Sequence, residues 1–411
     1  MSMAKIFPKR VLRKLPVDHQ TVLVRADYNV PLEEDGSIGD DFRIRSSIPT
    51  LEHLLGRGCK VVIISHLGRP EGKDKKYSLR VVGTRLGELL GRPVQFVDDC
   101  IGEKVRMTVR KAPPGSVLLL ENLRFYNEEE SNDAVFAKKI AKDTTARFFV
   151  QDGFGVVHRA HASTSAITQW LPSAAGLLLE QEYKTITQTM KHPEHPLVAV
   201  LGGAKVSDKL PLIEALEPIA EKILVGGAMA NTFLAEAGND IGSSRLEKDQ
   251  GNEIKRIYEL AGKKIGHHQD VREFLLLPTD VAVADSPDEH AVRRCVGIRD
   301  VSVGDMALDI GDRTIEEYVK VIKSAKTVLW NGTMGFAEMS EFAHGSARIA
   351  LALATHPKII SIIGGGDTAD FVLHWDSKNG GSFTHVLKGG GGRLELMVGN
   401  KLPGIEALLS A

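Results

Sequence analysis

Arginine, histidine and carboxylate side chains follow short apolar runs in the first half of the chain. Arg25, Asp27 and Asn29 come after residues 21–24, and His66 and Arg69 come after residues 61–64. Further residues at or near such positions are Arg43, Glu121, Asn122, Arg124, Asp152, His158, Arg159 and His161. Guanidinium groups hold carboxylate or phosphate oxygens in pairs, so several of them on one rim suit a small polyanion.

Glycine and lysine take the corresponding positions in the second half. Gly202 and Gly203 precede Lys205 and Lys209, whose spacing of four predicts one shared face at the start of a helix. Backbone N–H groups of glycine-rich turns at helix starts bind phosphate. The other positions of this kind are Gly226, Gly227, Asn331, Gly332, Gly364, Gly365, Gly366, Asp367, Thr368 and residues 389–392. This half therefore predicts a site for the phosphates of a nucleotide.

The apolar runs that precede these residues are nearly continuous, which is typical of strands buried on both faces of a parallel sheet. They are residues 21–24, 61–64, 94–97, 117–120, 148–150, 197–201, 223–225, 275–283, 328–330 and 359–363. Segments between them, such as 81–90 and 210–224, have helical spacing, which predicts an α/β architecture. In open α/β sheets, ligands bind beyond the carboxyl ends of the strands, where the polar residues above occur.

A domain boundary is expected near residues 172–196. Pro172 ends the first unit, residues 180–191 have the pattern of a polar helix, and residues 192–196 contain two prolines that end it. We predict two Rossmann-like three-layer domains with parallel sheets that face each other across a cleft. Their expected bounds are residues 1–177 and 197–392, with an interdomain helix and hinge at 178–196.

Composition narrows the class of protein. The 411 residues are 43% hydrophobic and 26% charged, which excludes a disordered chain. A net charge of -1 gives no broad field for nucleic acid or an acidic membrane. The three cysteines have no metal or redox spacing, and no signal peptide or membrane span is found. We therefore expect a cytoplasmic protein that acts on small molecules, with a monomer expected and a dimer as the alternative.

The common nucleotide-binding motifs are absent. No glycine run leads into the Gly-Lys-Ser/Thr of a P-loop, and no strand carries Gly-x-Gly-x-x-Gly. The histidines lack the spacing of a metal site. An NAD-dependent dehydrogenase on a similar sheet is one alternative, but it would lack its dinucleotide fingerprint.

Taken in order, the motifs resemble those of the phosphoglycerate kinase family. The resemblance rests on residues 25–31, 65–70, 120–125, 155–161, 201–209, 330–332, 363–368 and 402–408, which span essentially the whole chain. It implies reversible, Mg²⁺-dependent phosphoryl transfer between 1,3-bisphosphoglycerate plus ADP and 3-phosphoglycerate plus ATP, a step of glycolysis and gluconeogenesis. It also implies that residues from about 393 to 411 pack back on the first domain.

The resemblance implies roles for individual residues. Phosphoglycerate would be bound by Asp27, Asn29, Arg43, His66, Arg69, Arg124, His158 and Arg159. The nucleotide would be bound by Lys205, Lys209, Gly226, Gly227, Asn331, Glu338, Gly364, Gly365, Gly366, Asp367 and Thr368. Asp367 would also help to hold the magnesium ion.

In the reaction that the resemblance implies, the attacking group in the ATP-consuming direction is a carboxylate that is already ionised at neutral pH, so no general base is needed. Catalysis then consists of aligning two polyanions and neutralising charge on the migrating group. We assign that task to Arg43 and Lys205, assisted by the backbone N–H of Gly365 and of Gly390 or Gly391. Closure of the two domains is expected to use a hinge near residues 180–183 and to exclude water.

The chain departs from the family pattern mainly on the nucleotide side. This chain has Asn331-Gly332-Thr333 where the family usually has Asn-Gly-Pro, and Phe336-Ala337-Glu338 where the family has Val-Phe-Glu. Its residues 387–392 (LKGGGG) replace the family's Ser-Thr-Gly-Gly-Gly-Ala. On the other side, residues 151–155 (QDGFG) stand for Asn-Asp-Ala-Phe-Gly. A second alternative is therefore a catalytically weak paralogue that binds phosphometabolites or a protein partner.

Overall fold

Residues 7–266, 270–288, 290–387 and 391–411 are described by a computed structural model of the chain. Contacts between residues divide these into two units. Unit 1 contains the described residues up to Thr187, together with residues 391–396 and Asn400–Ala411. Unit 2 contains residues from Gln188 to 387, together with Met397–Gly399.

Unit 1 contains a six-stranded sheet in which all neighbouring strands are parallel. Its strands are β1 (Thr21–Arg25), β2 (Lys60–Ile64), β3 (Val94–Val97), β4 (Val117–Leu120), β5 (Phe148–Gln151) and β6 (Ser173–Ala175). The order is β3-β4-β2-β1-β5-β6, so β1 and β2 lie in the middle. Every residue of β1 and β2 after the first is buried, as their continuous apolar pattern predicts.

Helices connect these strands. They are α1 (Phe42–Gly56), α2 (Arg80–Leu90), α3 (Glu103–Lys111), α4 (Asn127–Glu130), α5 (Ala134–Asp143) and the first part of α6 (Leu177–Lys191). Alternate residues of the central strands, such as Val22 and Val61, form a core with Leu51 of α1 and Leu86 of α2. The strand ends are thereby fixed on a rigid scaffold.

The end of the chain, apart from Met397–Gly399, packs within unit 1. It contains α13 (Gly391–Met397) and α14 (Pro403–Glu406). The N–H of Gly404 donates to the carbonyl of Val157, and the N–H of Arg10 donates to the carbonyl of Leu409. Ile405 and Leu408 are buried there.

Unit 2 contains a second six-stranded parallel sheet, with the order β15-β14-β13-β7-β8-β9. Its strands are β7 (Leu197–Leu201), β8 (Lys222–Val225), β9 (Leu275–Leu276), β13 (Thr327–Asn331), β14 (Ile360–Gly364) and β15 (His385–Leu387). A three-stranded antiparallel sheet contains β10 (Asp280–Ala284), β11 (Arg294–Gly297) and β12 (Met306–Ile310). The helices are α7 (Leu210–Leu216), α8 (Gly227–Glu236), α9 (Gly251–Ile265), α10 (Asp312–Ser324), α11 (His344–Ala354) and α12 (Gly366–Trp375).

Two predicted elements of unit 2 are wrong. Residues 275–283, expected as one strand, form all of β9 and most of β10, which belong to different sheets. Pro278 lies between them, and a proline cannot donate to a strand ladder. Residues 210–224, expected to be helical, are helical only to Leu216, because Pro218 follows and β8 begins at Lys222.

The two parallel sheets with their connecting helices confirm the α/β fold class. Among the described residues, none of the helices combines the length and apolar character needed to cross a membrane.

Candidate active site

The loop after β1 carries a carboxylate paired with the first arginine of α1. Arg43 Nη1 donates to Asp27 Oδ2 at 2.6 Å, and both side chains are largely buried. Burial raises the pKa of Asp27, but nearby positive charge, chiefly that of Arg43, outweighs this and holds the pKa well below its usual value. Asp27 is therefore ionised at neutral pH and fixes the guanidinium of Arg43.

Asn29 and Arg124 together hold the loop that follows β2. The N–H of Gly68 donates to Asn29 Oδ1 at 2.7 Å, and Arg124 Nη1 donates to the carbonyl of Gly68 at 2.6 Å. Gly68 has a φ of +62°, and a Cβ there would lie 2.3 Å from the ring of Tyr77, so no other residue fits. This loop presents His66, which is buried, and Arg69, which is exposed.

Arginines converge from three different strand ends. Burial lowers the pKa of Arg124, and the charges of Arg159 and Arg69 add to that effect, while Glu130 opposes it. Arg124 Nη1 also contacts the carbonyl of Gly68, the residue before Arg69, so the loops after β2 and β4 meet there. Arg124 Nη2 lies 3.1 Å from Glu130 Oε1, and Arg69 and Arg159 are exposed. The structure thus brings together the cationic residues that the sequence placed at separate strand ends.

His158 and Arg159 follow a short turn after β5. Arg159 Nε donates to His158 Nε2 at 3.2 Å. Burial lowers the pKa of His158, and the charge of Arg159 acts in the same direction. His158 therefore supplies a neutral imidazole beside the arginine cluster.

Two acidic residues at strand ends serve the fold. Glu121 Oε1 accepts from the N–H groups of Leu79 and Asn122. Asp152 Oδ1 accepts from the N–H groups of Leu178 and Leu179 at the start of α6, at 3.0 and 3.3 Å. Asp152 thus caps helix α6 and is 1% exposed.

The capping carboxyl of Asp152 predicts a pH dependence of stability. Burial raises its pKa to about 7, against 3.8 for an ordinary aspartate, so the folded chain holds a proton that the unfolded chain releases between those values. The stabilisation is complete below the unfolded value and is lost as pH rises through about 7. In urea unfolding, Asp152→Asn should keep the cap and remove this loss. The free energy of unfolding of Asp152→Asn should therefore rise, relative to that of the unmodified chain, between about pH 4 and about pH 8.

A matched control for this prediction is Asp133→Asn, at the half-exposed cap of α5. A difference between Asp152→Asn and the unmodified chain that stays constant with pH would show that Asp152 does not titrate in this range.

In unit 2, Lys205 and Lys209 are not on a helix. Helix α7 begins at Leu210, with Pro211 in its first turn, so the predicted shared helical face is wrong. Their surroundings also differ. Lys209 Nζ donates to Asn331 Oδ1 and burial lowers its pKa, whereas Lys205 is exposed. Lys205 makes no hydrogen bond or ion pair with any described residue.

The glycines after β7, β8 and β13 allow three turns to pack on one another. Gly227 has a φ of +64°, and a Cβ there would lie 2.6 Å from the nitrogen of Gly203. A Cβ on Gly332 would lie 2.1 Å from the carbonyl oxygen of Gly202. The N–H groups of Gly203, Gly226 and Gly227 donate to backbone carbonyls. These glycines therefore shape the turns, and their N–H groups are already engaged.

The turn after β14 has a different character. Gly364 ends the strand, Gly365 has a φ of +94° and precedes α12, and Gly366 and Asp367 are exposed at the start of that helix. The first N–H groups of a helix have no acceptor within it, so they attract anions. Thr368 Oγ1 accepts from the N–H of Gly332, which ties this turn to the one after β13.

A cavity of about 460 Å³ lies beside these turns. Its lining includes the predicted residues Gly227, Glu338 and Asp367. Gly203, which the sequence also indicated, lines it too, as do Thr333 and Phe336 from the departures on the nucleotide side. Residues that sequence reasoning missed complete the lining: Ala204, Ala228, Ser243, Arg245, Pro287, Met306, Ala307, Leu308 and Gly335. Its mostly apolar walls and few polar groups are typical of a small-molecule site.

Part of the predicted site lies outside the described residues. These residues are Lys388, Gly389 and Gly390, so the proposed catalytic N–H of Gly390 is among the groups not described. Where the chain is described, no group of three or more histidine, cysteine or acidic residues could hold a metal ion. Asp367 is a single exposed carboxylate at the edge of the cavity.

Comparison with known proteins gives a consistent result. The family model described as "Phosphoglycerate kinase" matches residues 12–400. A phosphoglycerate kinase of Desulforapulum autotrophicum is 44% identical, with 97% of this chain and all of that protein covered. One of Trichodesmium erythraeum is 45% identical, with 97% of each covered. A solved phosphoglycerate kinase from Coxiella burnetii has a TM-score of 0.82 and 33% identity, with 97% of this chain and 98% of that chain covered.

Proposed function

The chain belongs to the phosphoglycerate kinase family, and from that premise we propose how its residues bind and join the two substrates. The reaction is reversible transfer of a phosphoryl group between ATP and the carboxyl group of 3-phosphoglycerate. The comparisons give no support to a weak paralogue or a dehydrogenase. The observation that carries our assignment of sites is the group of arginines from three strand ends of unit 1.

We assign 3-phosphoglycerate to the strand ends of unit 1. This ligand carries a phosphate and a carboxylate, and Arg69, Arg124 and Arg159 supply charge-assisted donors for both. Asp27 and Asn29 support the site by fixing Arg43 and the loop of Gly68. His66 and His158 add imidazole groups that are neutral at pH 7.

We assign the nucleotide to the cavity of unit 2. Its volume suits a base and ribose, and Gly227 and Glu338 lie in its wall. Lys209, held by Asn331, and the turn from Gly364 to Thr368 would bind the phosphates. Gly226 and Gly227 contribute by letting the turns approach closely. A bound Mg²⁺ would neutralise charge on the phosphates. The single carboxylate of Asp367 suits such an ion, because its other ligands would be phosphates and water.

The catalytic task in this proposal falls to Arg43, Lys205 and the backbone N–H of Gly365. The acceptor carboxylate is already ionised, so these groups orient the ligands and balance charge on the migrating phosphoryl group. Arg43 is held in place by Asp27. Lys205 is exposed and makes no hydrogen bond or ion pair with a described residue, so its side chain can approach the phosphoryl group.

We retain the remaining sequence-based assignments as proposals. These are a cytoplasmic location, a monomer, functional domains at 1–177 and 197–392, and a hinge within 178–196. The assignment of residues 393–411 to the first domain is supported by residues 393–396 and 400–411, which pack within unit 1, whereas Met397–Gly399 group with unit 2.

Separate binding measurements test the assignment of the two ligands. In calorimetric titrations, Arg124→Ala should weaken 3-phosphoglycerate by roughly 10- to 100-fold, because it loses a charged hydrogen bond, and should leave MgADP unchanged. Lys209→Met should weaken MgADP by roughly tenfold and leave 3-phosphoglycerate unchanged. Exposed Arg92→Ala and Lys323→Ala are the matched controls. If each variant weakened both ligands equally, the assignment of one ligand to each unit would be wrong.

A further inference from the structure

Arg25 is an arginine of unit 1 that the proposed function leaves without a role. It ends strand β1 and is 1% exposed. Its Nε donates to Ser163 Oγ at 2.8 Å, and its Nη1 donates to the carbonyl of Ala26 at 2.5 Å. Its Nη2 lies 3.2 Å from His66 Nδ1. Every nitrogen of this guanidinium is thus in contact with a protein atom, and one contact is to a proposed substrate-binding histidine.

The contact with His66 decides the state of the imidazole. A guanidinium has donors only, so in a hydrogen bond to Arg25 the Nδ1 atom must be the acceptor. An imidazole that accepts at Nδ1 is neutral and carries its proton on Nε2. We propose that Arg25 is a positioning residue that fixes His66 as the neutral Nε2–H tautomer, so that His66 donates a hydrogen bond to a substrate oxygen. This inference rests on the proposed function only in placing His66 at the phosphoglycerate site.

The charges around the ring agree with this state. Burial lowers the pKa of His66 well below its usual value, and the charges of Arg25, Arg124 and Arg43 act in the same direction. The negative charge of Asp27 acts in the opposite direction, but the ion pair with Arg43 offsets that charge. The ring is 3% exposed, so water does little to screen these charges.

A buried carboxylate keeps Arg25 charged and in place. Glu129 Oε1 lies 3.9 Å from Arg25 Nη2 and 3.9 Å from Nδ1 of His161. Ser163 donates to Glu129 through both its hydroxyl and its N–H, at 2.6 and 3.0 Å. Burial lowers the pKa of Arg25, and the charge of Glu129 raises it. Glu129 and Ser163 therefore orient the guanidinium that orients His66.

The Nε2 atom of His66 remains available for a ligand. Within the part of the chain that the structure describes, it makes no hydrogen bond to another residue. A neutral Nε2–H group adds a directional donor without adding charge, which the arginines already supply. The contact of Nδ1 with Arg25 and the burial of the ring favour the neutral imidazole, so its contribution to binding should not vary with pH near neutrality.

Nitrogen NMR of the full-length chain tests the inference. The histidines are labelled with ¹⁵N, long-range ¹H–¹⁵N correlations are recorded from about pH 5 to about pH 8, and His66→Gln identifies the signal of His66 among the 14 histidines. We expect protonation at Nε2 only, with no titration across this range. An Nδ1–H tautomer, or a titration midpoint near the ordinary value of about 6.5, would overturn the inference.

Two further spectra separate this inference from the proposed function. Addition of 3-phosphoglycerate should shift the Nε2–H signal. If it does not, the placement of His66 at the substrate site fails, while the Nε2–H tautomer in the free protein still supports the role of Arg25.

In Arg25→Lys the ring should titrate or show both tautomers, because one ammonium cannot replace the three directed contacts of the guanidinium. A ring that keeps the Nε2–H state in this variant would show that Arg25 does not set it. Should this variant fail to fold, the tautomer of His66 in the spectrum of the unmodified chain remains the test of the proposal.

Discussion

Arg43→Ala is expected to lower kcat by about 10³-fold or more and to leave the protein folded. An arginine that neutralises charge on a migrating phosphoryl group contributes on the order of 10³–10⁵ to kcat. Arg43 is the first basic residue of α1 and its guanidinium is held by Asp27, so its geometry is fixed before substrate binds. Steady-state kinetics with saturating ATP and 3-phosphoglycerate measures the effect.

The neighbouring Arg45→Ala is the control for this variant. Arg45 lies on the same helix, is exposed and pairs with Asp41 at 2.7 Å. It should retain nearly all activity, because exposed ion pairs contribute about 0–1 kcal/mol to stability and Arg45 is not part of the proposed site. Arg43→Ala with near-normal kcat would remove Arg43 from the catalytic group.

Lys205→Ala should produce the second large effect, a fall in kcat of about 10²-fold or more with little change in stability. An exposed side chain that makes no hydrogen bond or ion pair with a described residue contributes little to folding, so its loss should act on turnover. A charge that meets the phosphoryl group mainly in the transition state lowers kcat more than it raises KM. Kinetics at varied ATP concentration separates the two effects.

Lys248→Ala, another exposed lysine of unit 2, is the control for this prediction and should behave as the unmodified chain. Lys205→Arg should recover part of the lost turnover, because it restores the charge with different geometry. If Lys205→Ala raised KM for ATP and left kcat intact, Lys205 would be a binding residue and not a catalytic one.

Local sequence signals predicted the central strands and the residues at their ends. Continuous apolar runs identified β1, β2, β4 and β7 because these strands are buried along nearly their whole length. The β11 strand could not be found in this way. It lies in a small antiparallel sheet, and its residues are exposed or half-buried, so no continuous apolar run marks it.

The chemical partners of the site residues depend on contacts between distant segments. Nothing in the sequence near Arg25 shows that it meets His66 and Ser163, which are 41 and 138 residues away. The same holds for the cavity of unit 2, where Arg245 and Leu308 come from segments without a motif. A local pattern can also mislead. The spacing of four between Lys205 and Lys209 predicts one helical face, but both residues precede helix α7.

The glycines show that a motif can be recognised from the sequence although the partners of its backbone groups cannot. Gly226 and Gly227 occur where a phosphate-binding turn was expected, but their N–H groups donate to Leu201 and Met334 carbonyls. Their lack of a Cβ serves close packing of turns, which depends on tertiary structure.

The proposed activity is tested most directly by ATP-dependent phosphorylation of 3-phosphoglycerate by the purified chain in the presence of Mg²⁺. Coupling the product to glyceraldehyde-3-phosphate dehydrogenase converts it into a loss of NADH. We expect a steady rate that requires ATP, 3-phosphoglycerate and Mg²⁺ together and that falls to near zero in Arg43→Ala. A folded chain that gives no rate with any of ATP, GTP or other nucleoside triphosphates, while a reference phosphoglycerate kinase is active in the same assay, would contradict the proposed activity.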